Sequence, residues 1–273
     1  MNASQKKQDF RNSMSSVMGV VVIVVSLVIS WFIYYQILGD PDNFVGGDPN
    51  NEPLQDNYLG IIYKGSSLVI LQLSFIIILI TYSIERGITL KKASGKGKNK
   101  LFAQNIKSLL VRDDFEGVAA ACDVQRGSVA NVVKKGIDTF RHTSDLETLR
   151  PEEKAFRLKR ELEEASHLEL PQLERNMAVI STIASIATLI GLLGTVTGMI
   201  RAFSSLARAG SPDAVGLASG ISQALVTTAL GISTAAVAIV IYNLYTTTID
   251  KLTYATDETN YALLSRFKDE LKK

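Results

Sequence analysis

Four stretches of this chain run without a charged side chain, residues 17–38, 65–84, 176–200 and 214–249, and the residues between them are polar and charged. Each run predicts a membrane span, because a transmembrane helix needs about 20 predominantly apolar residues to cross a hydrocarbon core about 30 Å thick. The fourth run is too long for that alone. As one helix it would extend roughly 54 Å, so part of it projects beyond a bilayer or forms the turn to the third run. That turn is short and rich in Gly, Ser and Pro. The predicted fold class is an all-α integral membrane protein: four transmembrane helices with long cytoplasmic helical extensions.

A cleaved signal peptide is the rival reading of the first run. Its apolar core exceeds the usual span of about 7 to 15 residues, and the exit Gln36-Ile-Leu-Gly-Asp-Pro41 lacks a small-x-small cleavage site, so a retained anchor is expected. Trp31, Tyr34 and Tyr35 near its far end suit an interfacial aromatic belt, and packing against another helix would leave the same signature.

Charge then orients the spans. Asp40, Asp42, Asp48, Glu52 and Asp56 follow the first run without a Lys or Arg, whereas Lys91, Lys92, Lys96, Lys98 and Lys100 follow the second. Positive charge beside a membrane end marks the cytoplasmic side. The chain is therefore expected to start inside, cross four times and end inside, its lysines within reach of anionic lipid headgroups. The predicted organisation is an anchor helix and external loop over 1–60 and a second span over 61–86. A cytoplasmic helical region over 87–175, paired spans over 176–249 and a cytoplasmic helix over 250–273 complete it.

In the 87–175 region, Pro151 stands where helices begin, and Glu153/Arg157, Arg157/Glu161, Lys159/Glu163 and Arg160/Glu164 recur at helical spacing. This is the pattern of a long solvated helix. Pro171 is expected to interrupt or kink it before the third span. Leu264, Phe267 and Leu271 keep a helical period in the tail, which should continue the last helix.

Composition removes several function classes. A net charge of +2 gives no reason to expect a nucleic-acid partner. Cys122 is the only cysteine, so an intramolecular disulfide and a cysteine-based metal framework are excluded, and burial as a small hydrophobe is its expected role. His142 and His167 stand apart, without the companions of a zinc site. No metal or cofactor is expected. An intramembrane enzyme is disfavoured too, since the third and fourth runs hold no Cys, His, Asp or Glu to act as nucleophile or base.

The paired runs carry polar stripes instead. Ser181, Ser185, Thr188 and Thr195 fall within roughly 80° on a helical wheel of the third run. Ser219, Gln223, Thr227 and Thr234 line a second stripe in the fourth, with Thr228 opposite Ser219. Gly191, Gly194 and Gly198, with Gly220 and Gly231, are candidate helix-packing positions, because small residues let membrane helices approach closely. A carboxamide in lipid must face protein or water, so Gln223 marks an interior position. Two readings stay open: the stripes enclose a polar path, or they only pack helices in a structural membrane scaffold.

At these residues the chain resembles the ExbB/TolQ/MotA proton-channel family, ExbB most closely. The resemblance rests on Thr182-Ile-Ala-Ser-Ile-Ala-Thr-Leu-Ile-Gly-Leu-Leu-Gly-Thr-Val-Thr-Gly-Met199, on Ala218-Ser-Gly-Ile-Ser-Gln-Ala-Leu-Val-Thr-Thr-Ala-Leu-Gly231, on Ile241-Tyr-Asn243 and on Ser83-Ile-Glu-Arg-Gly87. It covers roughly residue 65 onward and leaves 1–60 outside. Three spans are typical of ExbB and TolQ, so the extra first span makes the layout like MotA. The resemblance implies a homo-pentamer in the inner membrane of a Gram-negative cell. It would enclose the single spans of an ExbD-like partner that supplies an intramembrane Asp, and proton flow would drive a TonB-like protein. A TolQ-like envelope-maintenance motor, or a MotA-like or gliding-type stator, is the alternative output. The family's pore-lining threonines match Thr195 and Thr228, and its common glutamate matches Gln223, which cannot titrate. With Thr188 and Thr227 from the stripes, these are the candidate pore-lining residues.

Overall fold

The computed structural model describes residues 3–65, 67–144, 150–207 and 213–270. It is helical, and four of its helical stretches are long and apolar enough to cross a membrane: Met18–Leu38, Leu68–Ala93, Pro151–Leu206 and Ala214–Glu270. The helices are α1 (Ala3–Phe32), α2 (Tyr58–Tyr63), α3 (Leu68–Ala93), α4 (Asn99–Val111) and α5 (Phe115–Gln125). They are followed by α6 (Gly127–Ser144), α7 (Pro151–Glu174), α8 (Met177–Leu206) and α9 (Ala214–Glu270). The Gly- and Pro-containing turn between α8 and α9 falls at 208–212, outside the described residues.

The contacts divide into two units, Met1–Ser83 with Val179–Ile241, and Ile84–Ala178 with Tyr242–Lys273. The first holds α1, α2 and the apolar parts of α3, α8 and α9. Val20, Val21, Ile23 and Val24 of α1 are exposed, as lipid-facing side chains must be, while Ser26 and Ser30 are buried and the Ser30 hydroxyl bonds the Ser26 carbonyl at 2.7 Å. The aromatic residues at its end separate by role. Tyr34 is buried, stacks on Tyr63 at 4.7 Å and donates to the Tyr63 carbonyl at 3.0 Å, whereas Trp31 and Tyr35 stay exposed.

The acidic loop after α1 is an ordered structure. Asn43 Nδ2 donates to the carbonyls of Ile37 and Leu38 at the end of the first span, and its Oδ1 accepts from Asn57. Asn57 caps α2 in turn, with its Oδ1 accepting from the N–H groups of Leu59 and Gly60. Lys64 Nζ donates to the carbonyls of Pro49 and Asn50 at 2.9 and 3.0 Å. Its partial burial holds the ammonium below the usual lysine range, against the opposing pull of Asp48 and Glu52.

The second unit has a core of its own. Phe102, Ile106 and Leu110 of α4, Val118 and Cys122 of α5, Val133 and Ile137 of α6, and Leu158 and Leu162 of α7 are all buried, with Leu252 and Leu263 of α9. Phe140 packs between Phe115, tilted, and Phe267, edge to face, with ring centroids 4.4 and 4.6 Å apart. Burial pushes the Cys122 thiol up to about 12. His142 and His167 are exposed. Of the charge pairs laced along α7, Lys159–Glu163 closes at 3.6 Å.

The junction of α7 and α8 departs from the sequence expectation. Pro171 does not interrupt α7, which continues to Glu174; the break comes at Asn176, whose φ is +62°. Asparagine enters this left-handed region at little steric cost. Arg86, only 2% exposed, fixes the break: its Nη1 reaches the carbonyls of Gln172 and Leu173 at 3.1 and 3.4 Å, and its Nε and Nη2 hold Glu85. The last carbonyls of a helix lack intrahelical donors, and a guanidinium supplies them here. Asn176 Nδ2 then donates to Glu85 at 3.2 Å.

α9 is one helix of 57 residues that runs to Glu270, and Leu271 lies outside the described residues. At 1.5 Å per residue that is roughly 86 Å, so the length in excess of a bilayer continues as helix and not as a turn.

Candidate functional site: the hydroxyl pair between α8 and α9

Glycines bring α8 and α9 together. A Cβ on Gly198 would come within 2.7 Å of the Gly220 carbonyl oxygen, one on Gly231 within 2.6 Å of the Ala187 oxygen, and one on Gly191 within 3.3 Å of the Gly231 Cα. A Cβ on Gly194 would fall inside the Thr227 side chain. In a membrane, where helices gain little from hydrophobic exclusion, such backbone approach provides the van der Waals contact that holds them. All of these partners belong to one chain.

This close approach sets two threonines against each other. The hydroxyls of Thr195 and Thr228 are in hydrogen-bond contact, and both also reach the carbonyl of Gly191, at 3.4 and 3.1 Å. Thr228 has a further bond to the Ala224 carbonyl at 2.9 Å. Both residues are half-buried, and Thr195 opens onto a shallow groove along α8 lined by Val196, Met199, Ile200 and Phe203. Ser185 and Thr188, on the same stripe of α8, are exposed.

The second stripe turns inward except at Ser219, which is exposed. Gln223 is 3% exposed and Thr227 fully buried. Thr227 packs on Gly194 and donates to the carbonyls of Gln223 and Ala224, and Thr234 is buried as well. Gln223 Oε1 accepts from Arg201 Nη1 at 2.8 Å. A neutral amide thus meets a permanent cation at the position where the resembled family commonly has a carboxylate. Thr227 and Thr228, adjacent in sequence, have different surroundings: the first is locked within the chain, the second meets Thr195.

Gln72 of α3 was not singled out from the sequence, yet its Nε2 donates to the Thr227 carbonyl at 2.6 Å in a buried position. The signal was present, since Gln72 is the one carboxamide in the 65–84 run. Among the described residues no group of His, Cys, Asp and Glu is placed to hold a metal ion.

Residues 125–258 match the MotA/TolQ/ExbB proton channel family. The chain is 39% identical over 86 residues to the putative biopolymer transport protein ExbB-like 3 of Synechocystis sp., a match covering 31% of this chain and 41% of that protein. It is 29% identical over 203 residues to the Tol-Pal system protein TolQ of Haemophilus influenzae, covering 68% and 83%. Against the biopolymer transport protein ExbB of Pseudomonas putida the identity is 40% over 79 residues, covering 28% and 24%. The chain thus spans 41% of the Synechocystis ExbB-like 3 protein and 37% of a second relative from the same organism, the putative biopolymer transport protein ExbB-like 1.

Proposed function

Since this chain belongs to the MotA/TolQ/ExbB proton channel family, a family of non-enzymatic transport components, we propose that it is the ExbB-like subunit of an inner-membrane proton channel. Its output would be TonB-dependent transport across the outer membrane. The observation that carries this reading is the Thr195–Thr228 hydroxyl contact, continued along α8 by the exposed Ser185 and Thr188. Polar groups exposed on a spanning helix need water or protein against them, and a hydroxyl row around an oligomer provides a path for both. The packing glycines and the buried Gln223 and Thr227 form the wall behind it.

The hydroxyl row cannot carry protons by titration. Residues 17–38, 65–84, 176–200 and 214–249 contain no Asp, Glu or His, and proton relays through membranes are commonly built on such groups. The titrating carboxylate therefore comes from a partner, an ExbD-like single span with an intramembrane Asp seated within a homo-pentamer. Liposomes holding this subunit alone are expected to show little proton flux. Adding the partner restores it, and the partner's Asp→Asn variant does not. Robust flux from the lone subunit, with leakage excluded, overturns this assignment and equal silence with the partner favours a scaffold. A TolQ-like output is the second reading, favoured by the extent of the Haemophilus TolQ match. Co-purification of a TonB-like protein separates transport from envelope maintenance; a peptidoglycan-binding partner points to a stator.

In this assignment both termini are cytoplasmic and the loop carrying Asp48 is periplasmic. Asp48→Cys is expected to react with an impermeant thiol reagent from outside, and Lys96→Cys is not. Native Cys122 is expected to stay silent, because it is buried and burial pushes its thiol well above the usual range. Equal labelling of both variants contradicts the orientation.

A further inference from the structure

Gln72 sits in the apolar sequence Leu68-Val-Ile-Leu-Gln-Leu73, and its side chain is 1% exposed. One end of the amide is used and the other is not: Nε2 donates to the Thr227 carbonyl at 2.6 Å, while Oε1 is buried with no hydrogen-bond partner among the described residues. A carboxamide placed in this way carries a desolvation cost that methionine or leucine of similar size avoids. Burial of a polar group in a spanning helix, half-satisfied, points to something the group holds in place.

What it holds is the residue beside Thr228. The Thr227 side chain is locked by its own bonds to the Gln223 and Ala224 carbonyls and by contact with Gly194 of α8. Its carbonyl is held by α3 through Gln72. A second close contact supports the same seam, since a Cβ on Gly65, just ahead of α3, would come within 2.9 Å of Val226. Thr228 follows on the same turn of α9, and a shift of that turn moves its hydroxyl relative to Thr195. We propose that Gln72 is a positioning residue that acts through the Thr227 carbonyl to hold Thr228 against Thr195. This rests on the reading of the two hydroxyls as part of the proton path. Its consequence is that α3, which contributes none of the candidate pore residues, governs the geometry of the pair.

The test measures position and flux separately. In the full-length protein, Thr195→Cys with Thr228→Cys places two thiols where the hydroxyls touch, close enough for an oxidant to join them. Adding Gln72→Leu, or the more shape-conserving Gln72→Met, is expected to slow that cross-link on the order of tenfold, as the loss of a buried hydrogen bond allows. Native mass spectrometry checks that both variants still assemble. Unchanged cross-linking in an assembled variant overturns the proposal. In liposomes containing the partner, Gln72→Leu is expected to lower flux, with little added loss in a Thr228→Val background, because residues acting as a unit are not additive. Fully additive losses also overturn it. A slowed cross-link beside normal flux in Thr228→Val leaves the positioning intact and removes the pore reading instead.

Discussion

Gly194→Leu is expected to abolish recovery of the assembled complex. A Cβ at this position already falls inside the Thr227 side chain, and Thr227 is fully buried, fixed by bonds to the Gln223 and Ala224 carbonyls and adjacent to the carbonyl that Gln72 holds. No flexible side-chain end is available to yield. Overpacking of this kind costs about 1–3 kcal/mol where a core can adjust and more where backbone must move. Here the backbones of α8 and α9 would have to separate, which also opens the Gly198–Gly220 and Gly191–Gly231 approaches. Because these contacts lie within one chain, the subunit's own fold is lost before any contact between copies. Native mass spectrometry reads the result, and a wild-type oligomer distribution contradicts it. Gly194→Ala is the graded companion, with a smaller loss.

The second large effect is expected at Arg86. Arg86→Ala removes the donors from the Gln172 and Leu173 carbonyls where α7 ends, releases Glu85 and empties the space of a side chain only 2% exposed. Glu85 remains 41% exposed and returns to water at little cost, so the loss comes from the helix end and the void. Charge-assisted hydrogen bonds of this sort are worth about 1.5–3 kcal/mol. The thermal midpoint in detergent is therefore expected to fall by about 5 °C or more. Arg86→Lys recovers only part of it, since an ammonium cannot span two carbonyls and a carboxylate as a planar fork does. An unchanged midpoint in Arg86→Ala contradicts this account of the α7/α8 break.

The difference between what was and was not legible in the sequence follows from the range of the interactions. Each apolar run could be read alone, because a bilayer sets both its length and its composition, and the lysines at 91–100 gave an expected orientation by a rule equally local. The place where α7 ends was not legible, because the carbonyls there are capped by Arg86, which lies 86 positions before Gln172 in sequence and meets the helix end only in the fold. Within the paired helices, wheels described each stripe but not which one faces its partner. That choice depends on the register of α8 against α9, set by glycines whose backbone approach no single-helix pattern encodes. Gln223 is legible as a costly group to place in lipid and is buried, yet its partner Arg201 lies on another helix. Gln72 carries the same signal, one amide in an apolar run, but its partner is a backbone carbonyl of α9, which no sequence pattern marks.

The central claim is that the Thr195 and Thr228 hydroxyls line the proton path, and proton flux through liposomes holding the complete complex tests it most directly. Thr195→Val and Thr228→Val keep the side-chain shape and remove the group that would bond a water or the partner's carboxyl. With assembly verified for each variant, flux is expected to fall on the order of tenfold, as the loss of one hydrogen bond to a charged or developing-charge group allows. Flux at the wild-type level in both assembled variants would contradict it.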